Sequence, residues 1–331
     1  MRTLVTGATG FIGQVLVRRL AARGDQVRVL ARPSSNLAAL DGLPFEVVRG
    51  DVTQPDTLPA AFDGVDRLFH AAGMVSFVRH ERPLLYRINV EGTRNVLSAA
   101  LQAGVGRVVY TSSVSAIAYS RRPIPVTEDS TWVDYGNSYA RSKRQAEAEA
   151  FNLYRRGLPL VVVNPTTAMG PNDPNLTSTA PIARYLRGDL RVRVRGALNV
   201  IDVEDLAEAH ILADERGRLG ERYILGGTNV TWTEFFSILD ELSGRGMPRR
   251  VPVAAALAMA ALMEFVIAPL TRKPPRFHIE EVRAASLYRT ADCSKAIREL
   301  RMPRRPLRET LARTVAWMER SGVAASPVDA H

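Results

Sequence analysis

Arg2-Thr3-Leu4-Val5-Thr6-Gly7-Ala8-Thr9-Gly10-Phe11-Ile12-Gly13 decides the fold of this chain. A short apolar run enters a turn with glycine at every third position, and an amphipathic stretch follows. Glycine lets the chain turn tightly, and it lets backbone N–H groups approach an anion at the start of a helix. The last glycine of such a turn permits close helix–strand packing. Strand, turn and helix in this order predict a dinucleotide pyrophosphate site. Gly7, Thr9, Gly10, Phe11, Ile12 and Gly13 are its candidate contacts.

The pattern repeats outward from that turn. Thr3–Val5, Gln26–Leu30, Glu46–Val48, Arg67–His70, Arg107–Tyr110 and Leu160–Val163 read as buried strands. Helical patterns lie between them at Ile12–Arg23, Leu58–Ala61, Arg87–Ala103 and Ser138–Arg156. The alternation predicts an α/β fold, a Rossmann-type doubly wound parallel sheet with helices on both faces. After Asn164-Pro165 the texture changes, with Pro171, Pro174 and Pro181 marking loops. We therefore expect a dinucleotide-binding domain over 1–164 and a smaller α+β substrate-binding part over 165–322. Some of the latter should pack back on the first domain, and 323–331 should be a frayed tail. In the second part we expect strands at Arg191–Arg195 and Arg222–Leu225 and a turn into a helix over Ile201–Asp214. A helix over Thr231–Ser243 should open with a capping box, Thr231 to Glu234.

Bulk properties bound the function. The chain has 331 residues, 46% hydrophobic and 24% charged, which suits a globular protein. A single cysteine, Cys293, excludes an intramolecular disulfide and a cysteine-rich metal site. Met1 leads straight into a strand with no cleavage-site pattern, so no signal peptide is expected. Together these fit a reducing cytoplasm. The net charge of +10 comes from arginines scattered over many elements, which argues against a nucleic-acid partner. Lysine occurs only at Lys143, Lys273 and Lys295.

The run Val253–Leu270 is apolar except for Glu264 and lies between Arg249-Arg250 and Arg272-Lys273. The favoured reading is a helix packed on the body or lining a groove. Glu264 and Pro269 oppose a membrane span. Peripheral contact with the inner face of an anionic membrane stays open, as does a homodimer.

The chemistry gathers around Tyr139 and Lys143, one helical turn apart and so on one face. A phenol has a pKa of ~10, and a neighbouring cation lowers it toward the range of acid–base work. We expect Lys143 to act so on Tyr139 and to hold the nicotinamide ribose. Ser113, in Thr111-Ser112-Ser113, can orient a substrate oxygen. Ala31-Arg32 stands where an acidic residue would bind the ribose hydroxyls of NAD, and Arg32 offers a fork for a 2′-phosphate. That favours NADP, with NAD also admitted. Gly50-Asp51-Val52 follows the third strand, and the Asp51 carboxylate fits an adenine amino group. Val75, Phe77, Tyr119, Met169 and Leu198 are candidate substrate contacts and suit an apolar or aromatic ketone. Pro165–Gly188 and Met247–Arg276 are expected to form a lid over it.

By Thr6–Gly13, Gly50-Asp51, His70–Gly73, Asn89–Thr93, Thr111–Ser113, Tyr139-x-x-x-Lys143, Asn164-Pro165, Val200–Ala207 and Asp292–Ala296 the chain resembles the extended short-chain dehydrogenase/reductases. Within that group it looks most like bacterial dihydroflavonol reductase-like proteins. These include members labelled hopanoid-associated sugar epimerases and relatives of 3β-hydroxysteroid dehydrogenases. The resemblance implies a catalytic tetrad of Asn89, Ser113, Tyr139 and Lys143, with Asn89 in a proton relay. It implies that Ala71, Ala72, Gly73 and Pro165 lie near the cofactor, and that His70 is structural. Sugar dehydratases of the group carry an Asp-Glu pair where this chain has Val114-Ser115. Many nucleotide-sugar epimerases place an arginine where this chain has Leu198, although Asn164 could still meet a phosphate. The expected function is NADPH-dependent reduction of a small carbonyl substrate, or the reverse oxidation. A sugar epimerase using NAD, and a non-catalytic NADP-binding sensor, remain as alternatives. No metal is expected.

Overall fold

The computed structural model describes residues 1–272, 275 and 277–325. Its core is a seven-stranded parallel sheet. Six strands run in chain order: β1 (Arg2–Thr6), β2 (Gln26–Ala31), β3 (Phe45–Arg49), β4 (Arg67–His70), β5 (Arg107–Thr111) and β6 (Leu160–Pro165). In space the order is β3-β2-β1-β4-β5-β6, and the strand Arg222–Leu225 closes the sheet beside β6. The order reverses between β1 and β4, where open α/β sheets bind their ligands.

Each face of the sheet is covered because its strands are apolar in both directions. On one face Val5, Phe69, Val109 and Val163 meet the helices Phe11–Ala22 and Val203–Arg216. On the other Leu4, Leu68, Val108 and Val162 meet Gly92–Gln102 and Ser138–Arg155. The helix Val203–Arg216 comes from beyond residue 164 yet packs on Phe11–Ala22, where Arg19 bonds Glu204 at 3.1 Å and Glu208 at 2.7 Å. The strand Arg222–Leu225 returns to the main sheet in the same way.

The second part has its own core, with Met169, Leu198, Trp232, Phe235 and Phe236 enclosed between a small sheet and helices. In that sheet Ala197–Asp202 pairs with Thr167–Met169, Thr228–Thr231 and Tyr288–Arg289. The helix Trp232–Ser243 has the expected capping box, with both reciprocal bonds present, and ends on Gly244 in the left-handed region.

Several local expectations are corrected. The helix expected over Leu58–Ala61 is a single tight turn at Pro59–Phe62. The stretch Arg87–Ala103 opens with a wide, π-helical turn over Arg87–Glu91 before Gly92–Gln102 continues as α-helix. The expected frayed tail is anchored at its start. Val323 and Ala324 pack on the second core, and the Arg187 side chain donates to the Val323 carbonyl at 2.7 Å. Residues 253–271 are helical, but only Ala260 is buried, so packing on the body is slight. Lys273, Pro274 and Arg276 of the expected lid, and 326–331 of the tail, lie outside the described residues.

Candidate active site

Three of the sheet's loops meet at the carboxyl ends of β1, β4 and β5. The first is the glycine turn. Gly7 has φ +73°, and a Cβ there would stand 2.5 Å from the Ala72 nitrogen. On Gly13 a Cβ would stand 2.1 Å from the Gly7 carbonyl oxygen. Both positions therefore require glycine for close backbone approach. Gly10 begins the helix Phe11–Ala22, and no side chain caps it. Its first N–H groups keep their donor capacity for an anion, with Thr9, Phe11 and Ile12 half-buried around them. These features fit a dinucleotide pyrophosphate.

Ala71-Ala72-Gly73 runs beside this turn. The Ala71 N–H donates to the Thr6 carbonyl at 3.2 Å, and the Ala72 N–H to the Thr6 hydroxyl at 3.3 Å. A Cβ on Gly73 would approach Asn89 Oδ1 at 3.3 Å and Lys143 Nζ at 3.8 Å. Gly73 thus links the glycine turn to the Asn89 and Lys143 side chains. His70 is enclosed between Thr6 at 2.7 Å and Thr93 at 3.2 Å and stacks on Tyr110. Burial, with Lys143 adding to it, drives its pKa down to about 3, so it stays neutral and structural.

At the outer edge of the sheet Asp51 is locked into its loop, one carboxylate oxygen accepting from the Thr53 N–H and hydroxyl, both at 2.8 Å. Val52 packs behind it against Gly92. Arg32 is exposed, and its guanidinium has no partner among the described residues. Arg49, at the end of β3, donates to the Arg32 carbonyl at 2.9 Å. The Arg49 guanidinium thus reaches the main chain of Arg32. Arg49 was missed in the sequence because its approach to Arg32 needs β3 laid beside β2.

Tyr139 and Lys143 sit on the helix Ser138–Arg155, where Asn137 caps the start by accepting from the Ala140 N–H at 2.9 Å. The Tyr139 hydroxyl faces Ser113. Burial pushes its pKa up to about 12 against the pull of Ser113. The expected lowering by Lys143 is absent from this geometry. Lys143 instead turns its Nζ to the Thr111 carbonyl at 2.9 Å and lies over the Tyr110 ring. Burial lowers the Lys143 pKa to about 8, and Glu147 partly opposes it. Ser113 caps the short helix Val114–Ile117 and exchanges a 2.8 Å bond with Ser115, which also accepts from the Tyr119 hydroxyl at 2.6 Å.

Asn89 lies in the wide helical turn. Its Oδ1 accepts from the Met74 N–H at 2.8 Å, and its Nδ2 donates to the Met74 carbonyl and to Ser142, both at 2.9 Å. It braces the Gly73–Met74 loop to the helix Ser138–Arg155. Wide turns of this kind recur at functional sites because they re-aim one residue. Asn164 is wholly buried, its Nδ2 donating to the Ser113 carbonyl at 3.0 Å and to Glu147 at 2.7 Å. Pro165 follows at the end of β6, opposite Leu225.

Glu147 was not singled out in the sequence, although its i+4 spacing from Lys143 was the available signal. It is buried and also pairs with Arg222 at 3.0 Å.

Among the expected substrate contacts, Val75 is exposed and Phe77 and Tyr119 are half-buried near these loops. Met169 and Leu198 are corrected. Both are fully enclosed in the second core and present no surface to a ligand. Leu198 is the second residue of Ala197–Asp202, a strand flanked on both sides, which the sequence reading did not anticipate. An apolar cavity of about 220 Å³ does lie between the two segments expected as a lid. Pro181 lines it from the first, Ala256 and Met259 from the second, with Trp232, Phe236 and Val282 completing the wall. No group of three or more potential metal ligands occurs among the described residues.

Residues 3–226 match the NAD dependent epimerase/dehydratase family. The chain belongs to that family. It is an NAD(P)-dependent oxidoreductase of the extended short-chain dehydrogenase/reductase type. It is 35% identical to sterol demethylase protein B of Methylococcus capsulatus, over 98% of this chain and 100% of that one. With cinnamoyl-CoA reductase 1 of Oryza sativa it shares 38% identity over 73% of this chain and 75% of the relative. The crystal structure of a nucleoside-diphosphate-sugar epimerase from Pseudomonas aeruginosa superposes with TM-score 0.80 at 27% identity. That match covers 98% of this chain and 99% of the other.

Proposed function

We propose that the protein is an NADPH-dependent reductase of a small, apolar or aromatic carbonyl compound, also able to run the reverse oxidation. The observation that carries the reading is the Ser113–Tyr139 pair, one helical turn from Lys143 and beside the glycine cradle. When bound, the cofactor supplies a hydride to the carbonyl carbon. Tyr139 is the proton source for the carbonyl oxygen. A phenol held at about 12 keeps its proton at neutral pH, as a donor must. Ser113 orients the same oxygen by hydrogen bonding. Lys143, at about 8, is mostly charged at neutral pH and is available to hold the nicotinamide ribose. Asn89 and Asn164 hold the two loops that carry these groups. Exposed Arg32, with the Arg49 guanidinium on its backbone carbonyl, supports NADPH over NADH, because a guanidinium can pair with a 2′-phosphate.

The chemistry named for two relatives, a sterol demethylase protein and a cinnamoyl-CoA reductase, supports an apolar or aromatic substrate. A sugar epimerase using NAD is the second reading, favoured by the likeness to the Pseudomonas epimerase. Buried Leu198 offers no cation for a diphosphate and weighs against it. The single buried cysteine is in keeping with a cytoplasmic location.

The test is oxidation of NADPH in the presence of steroid, aromatic and long-chain ketones. Tyr139→Phe should lose turnover by at least ~100-fold while binding cofactor with nearly the same affinity. Full activity in that variant would discard the mechanism. Co-purified NAD that is not consumed, with turnover of a sugar nucleotide, would select the epimerase.

A further inference from the structure

The helix Val253–Thr271 is built the wrong way round for a surface helix in water. It has 19 residues with mean hydropathy 2.1, and only 6% of it is buried. Its solvent face follows the helical spacing of three and four: Ala255, Met259, Leu262, Phe265 or Val266, and Leu270. Phe265 is 53% exposed and Leu270 80%. Its one charged residue before the end, Glu264, is turned toward the body, where it accepts from the Ile279 N–H at 3.0 Å. Ala260, one turn earlier, is buried. The polar group therefore faces the protein and the apolar stripe faces out.

The surroundings are cationic. Arg245, Arg249 and Arg250 precede the helix, Arg272 follows it, and Arg79 lies over the Phe265 ring at 5.5 Å. All five are exposed, and none has a carboxylate partner among the described residues. The nearby acids are already engaged, Glu280 by Arg82 and Glu281 by Arg184.

We propose that this helix docks the protein on an anionic lipid bilayer. The helix lies in the plane of the surface, with Met259, Leu262, Phe265 and Leu270 at the acyl boundary and the arginines among the headgroups. At 1.5 Å per residue it is about 28 Å long. Its inner side is tied to the body through Ala260 and Glu264, so it rests on the bilayer rather than crossing it. A second copy of the chain is a poorer occupant, since pairing two such stripes brings like-charged arginines together with no free acid to meet them. The helix also walls the apolar cavity, so docking sets that wall against the lipid phase. The proposal does not depend on the reaction assigned above, because binding is read without substrate or cofactor.

The test is co-sedimentation of the full-length protein with two kinds of vesicle. One is mixed phosphatidylglycerol and phosphatidylcholine; the other is phosphatidylcholine alone. Each is run at low and high salt. We expect binding to the anionic vesicles, weakened by salt, and little binding to the neutral ones. Phe265→Asp with Leu270→Asp should weaken binding at least tenfold. Because both side chains are exposed, the thermal midpoint and NADPH affinity should not move. Arg249→Glu with Arg250→Glu should remove the preference for anionic vesicles. Absence of binding, or equal binding by wild type and the Phe265/Leu270 variant, would overturn the proposal. So would a concentration-dependent dimer that the same variant dissociates without any vesicle binding; that result would make the stripe an interface between copies.

Discussion

Glu147→Gln is the most informative single change in the catalytic helix. The carboxylate is 1% exposed and holds two partners, Asn164 Nδ2 at 2.7 Å and Arg222 at 3.0 Å. A glutamine of the same shape has only one acceptor atom, so its amide nitrogen must face one of two donors. Breaking a fully buried ion pair costs ~3–5 kcal/mol. Arg222 is 25% exposed and can turn to water, which reduces that figure. Replacing the charged acceptor of the Asn164 bond by a neutral one adds ~1 kcal/mol. We expect a net loss of about 2–3 kcal/mol, or about 3–4 °C in the melting midpoint of a chain this long. The catalytic readout is independent of this. Glu147 raises the Lys143 pKa against burial, so its removal lets that pKa fall further below about 8. If the charged Lys143 is required, the basic limb of the kcat/KM profile should move to lower pH. Thermal melts and pH–rate profiles of both proteins measure the two effects. An unchanged midpoint together with an unchanged basic limb would refute the account of this network.

Arg32→Ala should weaken NADPH by ~1.5–3 kcal/mol and leave NADH nearly unchanged, as the loss of a charge-assisted contact requires; equal losses for both cofactors in a binding titration would assign Arg32 to the fold alone. Acid stability follows from His70 and His210, held neutral by burial with pKa values down to about 3 and about 4. The unfolded chain binds protons at these imidazoles below pH ~6.5 and the native state does not, so stability falls with pH through that window by up to ~1.4 kcal/mol per unit for each. Melting midpoints between about pH 7 and about pH 5 should drop, and a flat profile would show that one or both rings are accessible to protons in the native state.

The main sheet was legible because most of its strands are buried on both faces and so read as short apolar runs. The strands Arg67–His70 and Arg222–Leu225 have the same limits in sequence and structure, and the others extend by a residue or two at the ends. The second sheet was not legible. Thr167–Met169, Tyr288–Arg289 and Thr228–Thr231 are two to four residues long, too short for a periodic signal. Ala197–Asp202 is longer, but polar Asn199 interrupts its apolar run. That side chain is used internally, accepting from Thr166 and from the Gly227 N–H, both at 2.8 Å. Met169 and Leu198 were read as pocket residues because the strands that bury them were invisible.

The active site divides along the same physical line. Residues whose role depends on local spacing could be read: the glycines of the turn, and the Tyr139–Lys143 pair on one helical face. Residues whose role depends on contacts across the fold could not. Glu147 needs Asn164 from β6 and Arg222 from the last strand of the sheet. Arg49 needs β3 laid beside β2. Nor does spacing set a pKa. Two side chains one turn apart share a face, but their coupling depends on where the ammonium finds its bond. Here it finds the Thr111 carbonyl, and burial outweighs the pull of Ser113 at Tyr139. The phenol that results holds its proton firmly at neutral pH. It is therefore better matched to giving that proton to a carbonyl than to taking one from an alcohol. Alcohol oxidation should consequently gain more than ketone reduction as pH rises above neutrality. Initial rates in both directions across that range would check this, and a reduction rate that climbs with pH in parallel with oxidation would count against Tyr139 as the proton donor.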